Sequence, residues 1–116
     1  MKKTSEYTLP NGNILVSVNG YFGEDDFYMM YDIIKDVVSP EHITYGVDSM
    51  CVDGSFKKDG ILVRMSSESA YDYCCFLYDP KAYDDEQTVR IRGWIEEIAS
   101  RMNSLKSPVE KPEDEW

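Results

Sequence analysis

The chain has 116 residues, 22 acidic side chains against 12 basic ones, and a formal net charge of −10. That length fits one domain, and a chain of this size buries about two thirds of its unfolded surface, enough for a core without metal or disulfide staples. A hydrophobic fraction of 42% excludes a disordered polar chain, the acidic balance argues against binding nucleic acid or anionic membranes, and aliphatic runs as short as Ile14-Leu15-Val16 exclude a membrane span or signal core.

Tyr7 to Leu9 and Ile14 to Val18 flank Pro10-Asn11-Gly12-Asn13. Asn-Gly between two apolar runs is a strong hairpin signal, because both residues tolerate positive φ. Two strands are expected there, the second ending at Asn19-Gly20. Gly23-Glu24-Asp25-Asp26 opens a helix, its carboxylates set against the positive end of the helix dipole. Phe27, Met30, Tyr31, Ile34, Val37 and Val38 follow at three- and four-residue spacing as one apolar stripe. Ser39-Pro40 stops the helix, since the residue before proline is driven out of the α region.

Ile43 to Val52 reads as a third strand with Ile43, Tyr45, Val47 and Cys51 on one face, and Asp53 to Gly60, with two Asp-Gly pairs, as a polar reversal. Ile61, Val63 and Met65 alternate with Leu62 and Arg64 in a fourth strand, Ser66 to Ser69 turns, and Tyr71 to Tyr78 is a fifth strand ended by Asp79-Pro80. Asp84 to Lys106 is the second helix. Asp84 and Gln87 have capping-box spacing, and Ile91, Ile95, Ile98, Met102 and Leu105 form its core stripe. Arg92–Glu96 and Glu97–Arg101 are placed for i,i+4 pairs. The order ββαβββα predicts an α+β two-layer sandwich, two helices on an antiparallel sheet of about five strands. Residues 1–106 form the single domain, and 107–116, with two prolines and four acids, a flexible acidic tail.

Cys51, Cys74 and Cys75 are an odd set with two adjacent members, a poor disulfide framework. They read as reduced thiols in a cytoplasmic protein, the more so because Ser5, Glu6 and Asn11 replace the apolar stretch that a secretory leader needs after Met1-Lys2-Lys3. His42 is the one histidine, and no nucleophile elbow, phosphate loop, dinucleotide fingerprint or His-Glu-x-x-His helix is present. The cysteines and His42 lack zinc spacing. The acids from Asp48 to Asp59 lack the order of an EF-hand. No catalytic, cofactor-binding or metal residue is therefore assigned, and the protein is expected not to be an enzyme.

The excess charge is concentrated. Residues 24–59 hold nine acids and three bases. At about 100° per residue, Asp25, Asp32 and Asp36 align on the helix side opposite the core stripe, flanked by Tyr28 and Met29. With Asp48, these residues form the candidate partner-binding surface. The fifth strand is apolar on both faces, Tyr71, Tyr73, Cys75 and Leu77 against Cys74, Phe76 and Tyr78, and two helices cover only one face of a sheet. The N-terminal hairpin, the Trp116 tail, a second copy in a homodimer or another partner is expected over the other face. Gly93 interrupts the second helix away from its stripe, either as tolerated drift or as a place where another backbone comes close.

An acidic surface on a non-enzymatic chain fits a basic partner. An enzyme that handles nucleic acid needs a positive groove, which a carboxylate array occupies by imitation. In size and charge the chain resembles small toxin-immunity proteins and phage-encoded nuclease inhibitors, anti-CRISPR proteins among them; no motif carries the likeness. The expected function is to block such an enzyme. The alternative is a small regulatory or ligand-binding domain, dimeric through the apolar sheet face.

Overall fold

A computed structural model describes residues 2–49, 51–68 and 73–109. The elements in chain order are β1 (Thr4–Thr8), β2 (Ile14–Val18), α1 (Gly23–Val38), β3 (His42–Val47), β4 (Cys51–Lys58), β5 (Ile61–Glu68), β6 (Cys74–Tyr78) and α2 (Asp85–Leu105), with a 3-10 turn at Pro80–Ala82. Six strands form one sheet in the order β1-β2-β6-β5-β4-β3, every neighbouring pair antiparallel. The fold is the α+β class that the sequence indicates, with one strand more.

The extra strand comes from the middle of the chain. The stretch expected as one strand from Ile43 to Val52 turns back after Val47, and the expected polar reversal is most of β4. Only the second Asp-Gly pair makes a turn. Asp59 and Gly60 both have positive φ, 50° and 80°, the combination of a two-residue type I′ hairpin, and Lys58 and Ile61 face each other across it. The first pair lies inside the ladder, where a Cβ on Gly54 would stand 2.5 Å from the Thr44 carbonyl oxygen. Glycine is needed there for close approach of β3. Ser66 and Ser67 likewise continue β5 where a turn was expected.

The first hairpin is closed by the Gly12 N–H donating to the Leu9 carbonyl at 2.9 Å, with Pro10-Asn11 at its centre and Gly12 at φ 91°. Ser39, in the left-handed region at φ 49°, ends α1 one residue before Pro40. The capping box at α2 is complete: Asp84 accepts from the Gln87 backbone N–H, and Gln87 Oε1 accepts from that of Asp84.

Alternation along the strands decides what the helices bury. Val16 and Val18, Cys74, Phe76 and Tyr78, Ile61, Val63 and Met65, and Val52 and Phe56 join Phe27, Met30 and Ile34 of α1 and Ile91, Ile95, Ile98 and Met102 of α2 in one cluster. Of the expected stripes, Tyr31 and Val37 are half-buried and Leu105 is 68% exposed, so α2 leaves the core a turn before its end. Asp26, between Asp25 and Phe27, is buried. Its carboxylate accepts the Phe22 N–H at 2.8 Å and pairs with Lys106 Nζ at 2.6 Å, which ties the start of α1 to the end of α2. Tyr21 donates its hydroxyl hydrogen into the same corner, at hydrogen-bond distance from the Lys106 carbonyl and Asn103 Oδ1. Of the expected tail, 107–109 are described, and the Val109 N–H donates to the Gly20 carbonyl; residues 110–116 lie outside the described part. No helix among the described residues is long and apolar enough to cross a membrane.

Candidate functional site

Helical periodicity places Asp25, Asp32 and Asp36 on the exposed side of α1, as expected, with Tyr28 and Met29 half-buried on either side. The stripe is not bare charge. Asp32 pairs with Lys35 at 3.2 Å, and Asp36 pairs with Arg101 of α2, which also approaches Glu97 at 3.7 Å. Lys35 and Arg101 both compensate the stripe, and a partner meets a field already damped toward the C-terminal half of α1. Asp25 makes no ion pair among the described residues. On the α2 side, Met29, Asp36, Arg101 and Leu105 border a shallow groove of about 400 Å³.

On the other side α1 lies beside the sheet edge. Tyr45 of β3 projects between α1 rings, its centroid 5.5 Å from Tyr28, 5.0 Å from Tyr31 and 6.1 Å from Phe27, all in edge-on contact. Such arrangements satisfy the ring quadrupoles and add about 0.5–1.5 kcal/mol per pair beyond burial. Tyr45 nevertheless keeps 45% of its surface exposed, and Val47 keeps 52%. The Tyr28 phenol is pushed above its ordinary 10.0 by desolvation and then by the charges of Glu24, Tyr45 and Asp25. Lys35 shows what this surface does to a cation: its Nζ sits 5.3 Å above the centre of the Tyr31 ring while touching Asp32.

Asp48 follows β3 directly and is brought to the N-terminal end of α1, where Glu24, Asp48 and Cys51 border one recess of about 350 Å³. Asp48, Cys51 and Asp53 present ligand atoms within 4.8 Å of one another. The Cys51 thiol is 3.2 Å from Asp53 Oδ2 and 3.6 Å from Asp48 Oδ1. Donation to Asp53 foremost, then desolvation and the Asp48 carboxylate, pushes the thiol up to about 12. With its proton held toward two carboxylates, the thiol is a poor nucleophile. His42 lies at the far end of the β3–β4 hairpin, paired with Lys57, so it is not a base for Cys51.

The sheet face away from the helices carries no described element. The N-terminal hairpin extends the sheet instead of covering it. This face is mixed: Leu15, Leu77 and Cys75 alternate with Ser55, Ser66 and Arg64 around a shallow depression of about 500 Å³. Its tyrosines are otherwise engaged or elsewhere. Tyr73 stacks on Phe22 at 4.9 Å, Tyr78 is buried under the helices, and Tyr71 lies outside the described residues. The i,i+4 pair expected for Arg92 is replaced by one with Glu6 of β1 at 3.6 Å, while Glu97–Arg101 forms. Cys51, Cys74 and Cys75 are unbridged thiols.

Tyr31, Tyr45 and Val47 escaped the sequence-based choice of surface residues. Tyr31 reads as part of the α1 core stripe, and the exposure of Tyr45 and Val47 follows from β3 being an edge, which an unrecognised hairpin hides. No family model, no curated protein and no solved structure matches the chain.

Proposed function

We propose that this chain is a non-enzymatic binding protein that blocks a basic, nucleic-acid-handling enzyme, such as a toxin nuclease or a CRISPR-type effector, through the α1 face and the adjoining β3 edge. The observation that carries this reading is the pairing of exposed carboxylates, Asp25 and Asp32, with the half-exposed rings of Tyr28, Tyr31 and Tyr45. Tyrosine supplies contact area at small entropic cost and is enriched at interfaces. The carboxylates accelerate encounter with a positive groove. Three unbridged cysteines agree with a reducing, cytoplasmic setting.

The test is inhibition of purified nucleases and CRISPR-type effectors by the wild type and by the Asp25→Lys/Asp32→Lys variant. Asp36 is left alone because it holds Arg101. Inhibition is expected to weaken as salt rises from about 50 to 300 mM, since screening shortens the reach of the field, and to be lost in the variant with circular dichroism unchanged. A folded variant that inhibits as well as wild type would move the site off α1.

A further inference from the structure

We propose that β3 is a docking edge, and that an extended basic segment of another protein adds there to the sheet as a further strand. Strand addition presupposes the acidic-face reading above and specifies how the partner is held.

β3 is the outermost strand, bonded on one side only. The Asp48 N–H donates to the Cys51 carbonyl at 3.0 Å, continuing the register in which Val47 faces Val52 and Thr44 faces Ser55. In an antiparallel ladder hydrogen-bonded and non-bonded pairs alternate. His42, Thr44 and Gly46 therefore bond inward to β4, and Ile43, Tyr45 and Val47 direct their N–H and C=O groups outward. No side chain or other backbone group among the described residues bonds to those outward groups. Sheets normally blunt an edge with lysine, proline or a covering element; the six residues of β3 contain neither residue. The opposite edge is tied to α2, with Thr4 bonded to Glu96 and Glu6 paired with Arg92.

The neighbouring side chains select the occupant. An added strand would run past the exposed Tyr45 and Val47, along the side of α1 that carries Tyr28 and Tyr31, with Glu24, Asp25 and Asp32 close by. A lysine or arginine at alternate positions would repeat what Lys35 already does, resting on a ring beside a carboxylate. A second copy pairing edge to edge would bring the same carboxylates together on chains of net charge −10, a repulsive arrangement. Backbone hydrogen bonds would supply affinity and alternate side chains specificity.

The probes are two blocked octapeptides of identical composition, one alternating lysine with valine and the other a run of lysines followed by an equal run of valines. Both are titrated into the full chain at low salt. The alternating peptide is expected to slow hydrogen exchange at the Ile43, Tyr45 and Val47 amides and to bind about tenfold more tightly than the block peptide. Val47→Pro removes an outward donor and no ladder bond, so it should abolish that preference with the fold intact. If it fails to fold, the exchange pattern of the wild type decides alone. Equal binding of both peptides with no protection on β3 would overturn strand addition and leave the acidic face standing. No binding of either would overturn both. Concentration-dependent protection of β3 without peptide would give the edge to a second copy and overturn the proposal.

Discussion

Two glycines of this chain carry opposite consequences. A Cβ built at Gly93, on the exposed side of α2, meets nothing within 4 Å. The close backbone approach considered from sequence has no counterpart among the described residues, and what remains is the entropic penalty of glycine in a helix. Gly93→Ala should stabilise the protein by about 0.5–1 kcal/mol, read as a higher urea midpoint with an unchanged slope. No gain would mean that something outside the described residues rests there. At Gly54 the added carbon would strike backbone, the Thr44 carbonyl at 2.5 Å. Gly54→Ala should cost about 1–3 kcal/mol, as overpacking does, and should loosen the β3 edge first in hydrogen exchange. Cys51 makes a third residue-level case. With its pKa pushed up to about 12 by Asp53 and Asp48, its thiol should alkylate well below the rate of an unperturbed cysteine at pH 8, and Asp53→Asn should speed it. A wild-type rate equal to that of an unperturbed thiol would show that the bond to Asp53 does not form.

At the scale of elements, the helices were legible and the β3–β4 hairpin was not. A stripe at 3.6-residue spacing survives a misplaced end: Ile91, Ile95, Ile98 and Met102 fall in the core as expected, and Ile95→Ala or Ile98→Ala should cost about 2–5 kcal/mol. A change under about 0.5 kcal/mol, typical of surface sites, would put that face in solvent. Strands carry less information per residue, and β3 and β4 mislead twice. Their connection lacks the Asn-Gly or Asp-Gly signature of a tight hairpin, while the real Asp53-Gly54 signature sits mid-strand because β3 needs the space. Reading through the turn also put Cys51 on the face of Tyr45, whereas it points the other way, toward Asp48 and Asp53. Asp25, Asp32 and Asp36 of the candidate surface could be placed from the helix wheel alone. Tyr28 is placed by the same wheel, but Tyr45 is not, since its position beside α1 follows from the β3–β4 hairpin.

At the scale of the molecule, the shifted ionisations around one corner agree in sign. Lys106 is held above its ordinary 10.5 by its bond to the Asp26 carboxylate, which outweighs desolvation. Tyr21 is held above 10.0 by burial and then by the Asp26 charge. A group whose pKa is raised by folding contributes stability that is complete below its unfolded value and is lost as pH rises through its folded value. Both groups therefore stabilise the protein fully at neutral pH and withdraw that contribution above about pH 10. Neutral Lys106 no longer pairs with Asp26, and ionised Tyr21 no longer donates to the Lys106 carbonyl or Asn103. The α1–α2 corner should thus be the first part of the core to open in alkali. Growing self-repulsion of an acidic chain acts in the same direction, but it is screened by salt, whereas the buried end of the Asp26–Lys106 pair is screened much less. Urea midpoints measured from about pH 7 to 11 in about 1 M salt separate the two: the wild type should still lose stability above pH 10. Asp26→Asn should start lower, lacking the pair, and show a shallower alkaline fall, because Lys106 then has no carboxylate to lose. Parallel curves for the two proteins would mean that the corner does not govern alkaline unfolding.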